Sequence, residues 1–445
     1  MTTNDSTTTD LTTTSTPSAA DTPERESWLD RLRRGSRTEE PFLHNPQRTI
    51  WYAVLFLALI VGSWAVWNRL TIGLAATDLT SQMPWGAWVA FYIYFVGLSA
   101  GAFLLSSLVY VFGMYQFERI GRMALLSAIV SMGVALAFIG SDLGKMERAP
   151  TTVLHFHWTS PLSWEVRFYT IYIVLLIAEL TIALRLHKGL VRSVDNAHKW
   201  MRILGTIGVP LAIFGVHGGT GTIFAVVKAR GMWAGGLFPV IFVVSAIVSG
   251  TALLTLIYYW QRRGVGRRPD PKLLSNLGIV LAGALGIDLG LTFYEFIVPL
   301  LAFQFHETDV IAVITLGPMW WTFWIVQLGV GMVIPFIILV TRLRQRAAWV
   351  IAACFMVVVG ILGVRFNIVV PPLITPVIEG YPVNTYVPTF TEWGLSMFII
   401  AGGALAYSLL SELFPIHEPT PEEARTEPLL DAAAAPAAER ERVAS

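Results

Sequence analysis

Ten apolar stretches, most near twenty residues long, alternate with short polar segments between Ile50 and Leu410. A bilayer's hydrocarbon core takes about 20 apolar residues of helix to cross. Inside it every backbone N–H and C=O must be satisfied within the segment, so such stretches are helices. The pattern predicts an all-α polytopic membrane protein with spans near 50–68, 85–112, 122–140, 164–183, 200–219, 237–259, 274–298, 318–340, 347–366 and 391–410. A transmembrane domain is expected over 50–410, flanked by disordered tails at 1–49 and 411–445. The first tail is Thr/Ser-rich and then charged, without the apolar core of a signal peptide, and the second is Pro/Glu/Ala-rich.

The pattern also echoes itself. Ser99 to Leu105 reads SAGAFLL and Ser249 to Thr255 reads SGTALLT, while Asp142-Leu143-Gly144 recurs as Asp288-Leu289-Gly290. A four-helix offset keeps each pair in one orientation. Two parallel four-helix bundles are therefore expected, near 85–219 and 237–366, with a flanking helix on either side.

Charge orients the chain. With the amino terminus inside, 24 of the 31 Lys and Arg fall in inner segments, and the positive-inside rule places both tails in the cytoplasm of a cell with an inner membrane. Trp51, Trp85, Trp164, Trp200, Trp260, Trp320 and Trp393 sit near predicted ends, as an interfacial belt requires. Charged residues are only 14% of the chain and the mean hydropathy is +0.61, which fits one large membrane domain. A net charge of +1 gives no reason to expect a nucleic-acid partner.

Redox metals are not expected in this chain. Cys354 is the single cysteine, so no Fe–S cluster can be ligated. Only His217 of the eight histidines lies within a predicted span, so the facing His pairs of a haem site cannot be assembled. No metal ligand set is assigned.

The chemistry concentrates in the loop between the third and fourth spans. Asp142-Leu143-Gly144 is followed by His155-Phe156-His157-Trp158-Thr159-Ser160-Pro161-Leu162-Ser163-Trp164. These residues offer a carboxylate, imidazoles, hydroxyls and indole donors at the membrane surface. A quinone head group needs such donors, a proton relay and aromatic walls. The plainer reading is an interfacial loop whose polar groups face water.

Several of these motifs resemble landmarks of the NrfD/polysulfide-reductase membrane-subunit family, in its ten-helix branch. They are Pro84-Trp85-Gly86 with Gly97-Leu98-Ser99-Ala100-Gly101, the Asp142-Leu143-Gly144 and Ser160 to Trp164 runs, and His217 with its following glycines. Val226 to Arg230, Arg365 to Val369, and Tyr386 to Thr389 with Glu392 complete the series. The resemblance implies a haem-free anchor that exchanges electrons between an outer Fe–S subunit and menaquinone or ubiquinone. That Fe–S subunit would be wired to a molybdopterin or nickel–iron catalytic subunit. It also implies a quinone contact at Tyr92, five residues before Gly97. Where the family usually continues with Gly after Trp164 this chain has Glu165, and Lys145-Met146 replace a common Arg-Pro; both departures alter the expected rim and protonation chemistry.

On this reading Asp142, His157 and Glu165 exchange protons with the head group, and Trp88, Tyr92, Ser160, Trp164 and His217 shape and bind it. Glu179, Asp288 and Glu295 are candidates for a proton path, because buried carboxylates are costly and tend to be functional. Asp288 and Glu295 lie seven apart, on one helix face. Each also has a structural reading, with Glu179 reaching towards Arg185. Arg365 and Glu392 are expected to form a structural ion pair. Two other functions fit the same pattern, a secondary transporter and a purely structural anchor.

Overall fold

The structure is a computed structural model and describes residues 46–416 apart from 235, 265–267, 303–304 and 379. The expected tails over 1–45 and 417–445 lie outside the described residues. Ten helices among the described residues are long and apolar enough to cross a bilayer. They are α1 Pro46–Thr71, α2 Ala87–Tyr110, α3 Gly121–Asp142, α4 Pro161–His187, α5 Val194–Ala225, α6 Leu237–Gly264, α7 Pro271–Leu301, α8 Thr322–Val340, α9 Ala347–Ile374 and α10 Phe390–Leu413. The first helix thus starts at Pro46 and the last ends at Leu413, a few residues beyond the expected domain limits. No strand occurs among the described residues.

One end of the bundle carries Pro46 and Ile416 and is called proximal below. There Arg48 pairs with Glu412 at 2.7 Å, Arg119 pairs with Asp270, and Arg122 donates to the Pro415 carbonyl at 2.7 Å. The opposite, distal end carries the α1–α2, α3–α4, α5–α6, α7–α8 and α9–α10 connections.

The helices close into two rings, α2–α5 and α6–α9, joined where α2 and α9 pack against each other and α6 packs against α2 and α5. α1 pairs with α10, and α10 leans on α3. α2 is the central post, buried along almost its whole length, whereas α1 turns Ile50, Phe56, Ile60 and Trp67 outward, as a lipid-facing helix does.

The repeated motifs explain how the rings join. A Cβ on Gly101 of α2 would lie 1.9 Å from the Ala246 carbonyl oxygen of α6, and one on Gly250 of α6 would lie 2.4 Å from the Gly101 carbonyl carbon. The two small-residue segments therefore meet backbone to backbone, the close approach that small residues allow in lipid. Gly97, one turn away, does a different job: its missing Cβ leaves room for the His217 ring and the Arg365 guanidinium.

Two spans loosen to π geometry, over Leu211–His217 in α5 and Thr322–Val333 in α8. The first follows Pro210 and the second precedes Pro335; a proline removes one i→i−4 bond and lets the ladder adjust. α9 continues through Pro371 and Pro372 to Ile374, eight residues past the expected end. Pro372 has no N–H for the Ile368 carbonyl, which instead accepts the Trp233 indole at 2.7 Å. Arg230 then caps the helix, donating to the carbonyls of Pro372, Leu373 and Thr375 at 3.2–3.3 Å.

Candidate functional site

Four hydrophilic side chains meet inside the first ring. Tyr92 of α2 and Tyr169 of α4 approach hydroxyl to hydroxyl at 2.7 Å. Tyr169 also lies 2.7 Å from Glu165 Oε1 and 2.7 Å from the Thr220 hydroxyl of α5. Thr220 in turn donates to the Val216 carbonyl at 2.8 Å. All four residues are buried. At helical rise, Tyr92 is about 8 Å and Glu165 about 6 Å from the distal ends of their helices.

Tyr169 is the hub of the cluster: it donates to Glu165 Oε1, and in its contacts with the Tyr92 and Thr220 hydroxyls either oxygen can be the donor. Three hydroxyls supply three hydrogens to four contacts, so the cluster has room for one more proton, on Glu165.

Tyr169 was not among the sequence candidates, nor was Thr220. The signal for Tyr169 was present, since Glu165, Tyr169, Tyr172 and Glu179 follow the 3–4 spacing of one helix face. All four are buried. Tyr172 donates to the Ser99 carbonyl at 3.1 Å. Glu179 lies deeper still, fully buried, with no hydrogen-bond partner for either carboxylate oxygen. It does not reach Arg185; its near neighbours are Gly205 and Tyr172.

The loop above the cluster is held by its own contacts. Ser160 caps α4 by accepting from Ser163 N–H, and the Trp164 indole donates to the Trp158 carbonyl at 3.0 Å. His157 is exposed, with its ring nitrogen 3.0 Å from the Thr159 hydroxyl. Phe156, Trp158, Trp164 and Phe168 pack as an aromatic group, with Arg167 4.2 Å over Phe156. Ser160 is engaged locally as an acceptor and Trp164 as a donor, and His157 stands outside the buried cluster because the loop folds it towards solvent.

Asp142 occupies a second place. It ends α3, half-buried, with one buried carboxylate oxygen unpartnered. Arg69 of α1 donates to the carbonyls of Ser141 and Leu143 on either side of it, at 2.7 and 2.6 Å, and lies 5.9 Å over Trp88. The Trp88 indole donates to the Glu392 carbonyl at 3.2 Å. Tyr386 donates to the Glu392 carboxylate and accepts from Ala87 N–H at 2.7 Å. Burial and that carboxylate push the Tyr386 hydroxyl far above its ordinary range, so it stays a donor. Asp142, His157 and Glu165 thus fall in three separate settings.

The expected Arg365–Glu392 pair does not form. Glu392 is the third residue of a capping box on α10 and accepts from Thr389 N–H at 2.8 Å and Asp78 N–H at 3.2 Å. Because α9 runs on to Ile374, Arg365 lies deeper, about 14 Å below the helix end. There it donates to Ser245 Oγ at 3.0 Å, contacts His217 Nε2 at 3.3 Å and covers Phe242. His217 accepts at Nε2, so its proton belongs on Nδ1.

In the second ring a narrow cleft of about 20 Å3, room for about one water, is lined by Asp288, Thr292 and Glu295 of α7, Gln327 of α8 and Asn367 of α9, among apolar neighbours. Thr322 donates to Asn367 Oδ1 at 2.6 Å, and Asn367 donates to Gln327 Oε1 at 2.7 Å. Asp288 and Glu295 do share a face, as their spacing requires. Glu179 belongs to the other ring, so the three proposed path carboxylates are not in one file. Among the described residues no group of three His, Cys, Asp or Glu is placed to hold a metal ion.

Comparison with known proteins gives a consistent relationship. Residues 76–377 match the family model described as polysulphide reductase, NrfD. The chain is 37% identical to a selenate reductase subunit of Mesobacillus selenatarsenatis, over 83% of this chain and 94% of that protein. It is 28% identical to the Hdr-like menaquinol oxidoreductase integral membrane subunit of Archaeoglobus fulgidus, covering 76% and 86%. It is 26% identical to the probable Ni/Fe-hydrogenase 2 b-type cytochrome subunit of Escherichia coli, covering 79% and 88%.

Proposed function

This multi-pass membrane protein belongs to the polysulphide reductase, NrfD family, and from that premise we propose that it is the quinone-reactive membrane subunit of an oxidoreductase complex. Electrons pass between an outer Fe–S subunit and menaquinone or ubiquinone, and a molybdopterin or nickel–iron subunit beyond it sets the terminal substrate. The distal end faces away from the cytoplasm, as the basic residues require. The observation that carries the reading is the buried Tyr92–Tyr169–Glu165–Thr220 cluster, held at the distal membrane boundary beneath an aromatic loop.

Reduction of a quinone to its quinol takes up two electrons and two protons. The cluster suits that exchange. Tyr92 presents a hydroxyl that can turn from Tyr169 to a ring oxygen, and Glu165 holds the removable proton one hydroxyl away. Tyr169 and Thr220 keep Glu165 aligned. Glu179, lower on the same face of α4, is the source that returns a proton from the proximal side through the Tyr172 level. His217 supports the pocket floor with Arg365, and Asp142 with Trp88 forms its flank.

The chain works without haem. His217 is engaged with Arg365, while His155 and His157 sit in the distal loop. The name of the Escherichia coli relative includes a b-type cytochrome, so the absorption spectrum of this subunit after reduction is informative: haem bands would refute the assignment. The main test is quinol-dependent reduction of the partner's clusters in the purified complex. Tyr92→Phe and Glu165→Gln should each lower it by ten-fold or more while the complex assembles. Unchanged rates in both would reject the pocket, and loss of assembly alone would favour a structural anchor.

A further inference from the structure

The second ring contains three ionisable groups that the proposed quinone chemistry leaves unbalanced. Asp288 is 1% exposed, lines the cleft, and has no hydrogen-bond partner for Oδ2. Glu295 lies two turns along the same face. Arg365 is fully buried, and its Nε and Nη1 have no acceptor. Its charge reaches both carboxyls.

The elements around Asp288 and Glu295 bring few other charges. α8 carries no ionisable residue, and α9 contributes Arg365 alone. On α6 the charged residues are Arg262 and Arg263 at its proximal end, and Arg344 follows α8 at that same end. Glu307 and Asp309 belong to a short helix, Phe305–Thr315, at the distal rim. Lys228 and Arg230 lie in the distal α5–α6 connection, where Arg230 is engaged with the carbonyls that end α9. Below that rim two carboxylates, Asp288 buried and Glu295 partly exposed, stand against one guanidinium, leaving one uncompensated negative charge. Within a bilayer such a charge costs several kcal/mol.

The cleft opens beside the distal α5–α6 connection. Met232 lines it and is the only non-glycine among the described residues in the left-handed region, at φ 68°. Backbone held this way tends to mark sites that the surrounding fold over-determines.

We propose that Asp288 and Glu295 together bind one exchangeable proton, balanced by Arg365 and reached by water from the distal cleft. The ligand is a proton and not a metal cation. The Arg365 charge on the neighbouring helix α9 already offsets one carboxylate, and one proton on either carboxyl brings the group to neutrality without further ligands. The site operates in the isolated subunit and needs neither quinone nor partner.

Charge counting makes the test quantitative. The measurement is infrared spectroscopy of the purified full chain near neutral pH, reading protonated carboxyl groups per protein by their C=O stretch and its shift in D2O. Relative to wild type, Asp288→Asn should lose one protonated carboxyl, and so should Glu295→Gln. The double variant should also lose one and not two. Arg365→Gln should gain one, because both carboxyls then need protons. Glu295 is partly exposed, so Glu295→Gln gives a folded test if changes at the buried positions do not. No loss in Glu295→Gln together with no loss in Asp288→Asn would overturn the proposal. So would a loss of two in the double variant, or displacement of the proton by added sodium. None of these outcomes depends on the quinone assay.

Discussion

The hydroxyls of Tyr92 and Tyr169 meet at 2.7 Å across the first ring, joining α2 to α4 near the distal boundary. Neither helix needs this bond to pack, since both already bury apolar faces against their neighbours.

Removing the Tyr92 hydroxyl should therefore cost little stability. Hydrogen bonds inside membrane proteins are worth about 0.6 kcal/mol on average, and Tyr92→Phe should shift the melting temperature in detergent by no more than a few degrees. Tyr169→Phe takes a partner from Glu165, Tyr92 and Thr220 and should cost more, about 1–3 kcal/mol. Tyr169→Phe should nevertheless slow quinol-linked electron transfer as severely as Tyr92→Phe, because it breaks the link to Glu165. The double variant should be hardly slower than either single one.

The two neighbouring glycines of α2 should separate packing from chemistry. Gly101→Ala drives a methyl into the Ala246 carbonyl and should destabilise the protein by about 1–3 kcal/mol, as overpacking does. Gly97→Ala meets the His217 and Arg365 side chains at 3.2–3.3 Å. It should leave the melting temperature closer to wild type while altering quinone affinity. Equal losses of stability would show that the space at Gly97 is structural only.

Glu179 offers a test by sign. A buried polar group without a partner costs about 1–3 kcal/mol in proteins. Glu179→Leu should therefore raise thermal stability, while slowing turnover about ten-fold if the carboxyl supplies protons. A structural carboxyl would give the opposite result, with lower stability and normal turnover.

Outside the membrane, Asp270 gives a pH dependence. Partial burial raises its carboxyl pKa, but donation from Lys272 N–H and from Arg119 outweighs that effect and holds it below the ordinary value. A depressed carboxyl contributes stability that is present above its unfolded pKa, near 4. That contribution is lost as pH falls through the lower, folded value. Asp270→Ala should cost about 1 kcal/mol at neutral pH, as loss of an N-cap does, and should flatten the acid side of the stability curve. Thermal melts between pH 3 and pH 7 would show it.

What the chain announced in advance follows from what lipid enforces. The ten spans were legible because hydrocarbon thickness sets a length that composition must meet, whereas the meeting of SAGAFLL with SGTALLT at Gly101 and Gly250 was not, since likeness between two segments does not require contact. The end of α9 was misplaced because proline usually stops a helix. Here Trp233 takes up the Ile368 carbonyl that Pro372 leaves over, Arg230 caps the carbonyls at the helix end, and α9 continues. That extension moved Arg365 away from Glu392 and towards His217. Tyr169 escaped notice for another reason: an apolar-rich span hides a tyrosine among aromatic residues, and only its spacing from Glu165 marks it. The separate settings of Asp142, His157 and Glu165 depend on how a loop folds, which residue order does not encode locally.

The bare contact at Gly101 and Gly250 bears on motion. Carriers that work by alternating access swing one half against the other about a substrate held at midplane. That swing needs a layer of side chains able to slide or compress. Here main chain touches main chain, and Arg365 of one half is tied to His217 of the other, so any tilt meets hard atoms at once. That stiffness suits the proposed function, in which the two halves stay in place while electrons and protons move between fixed groups.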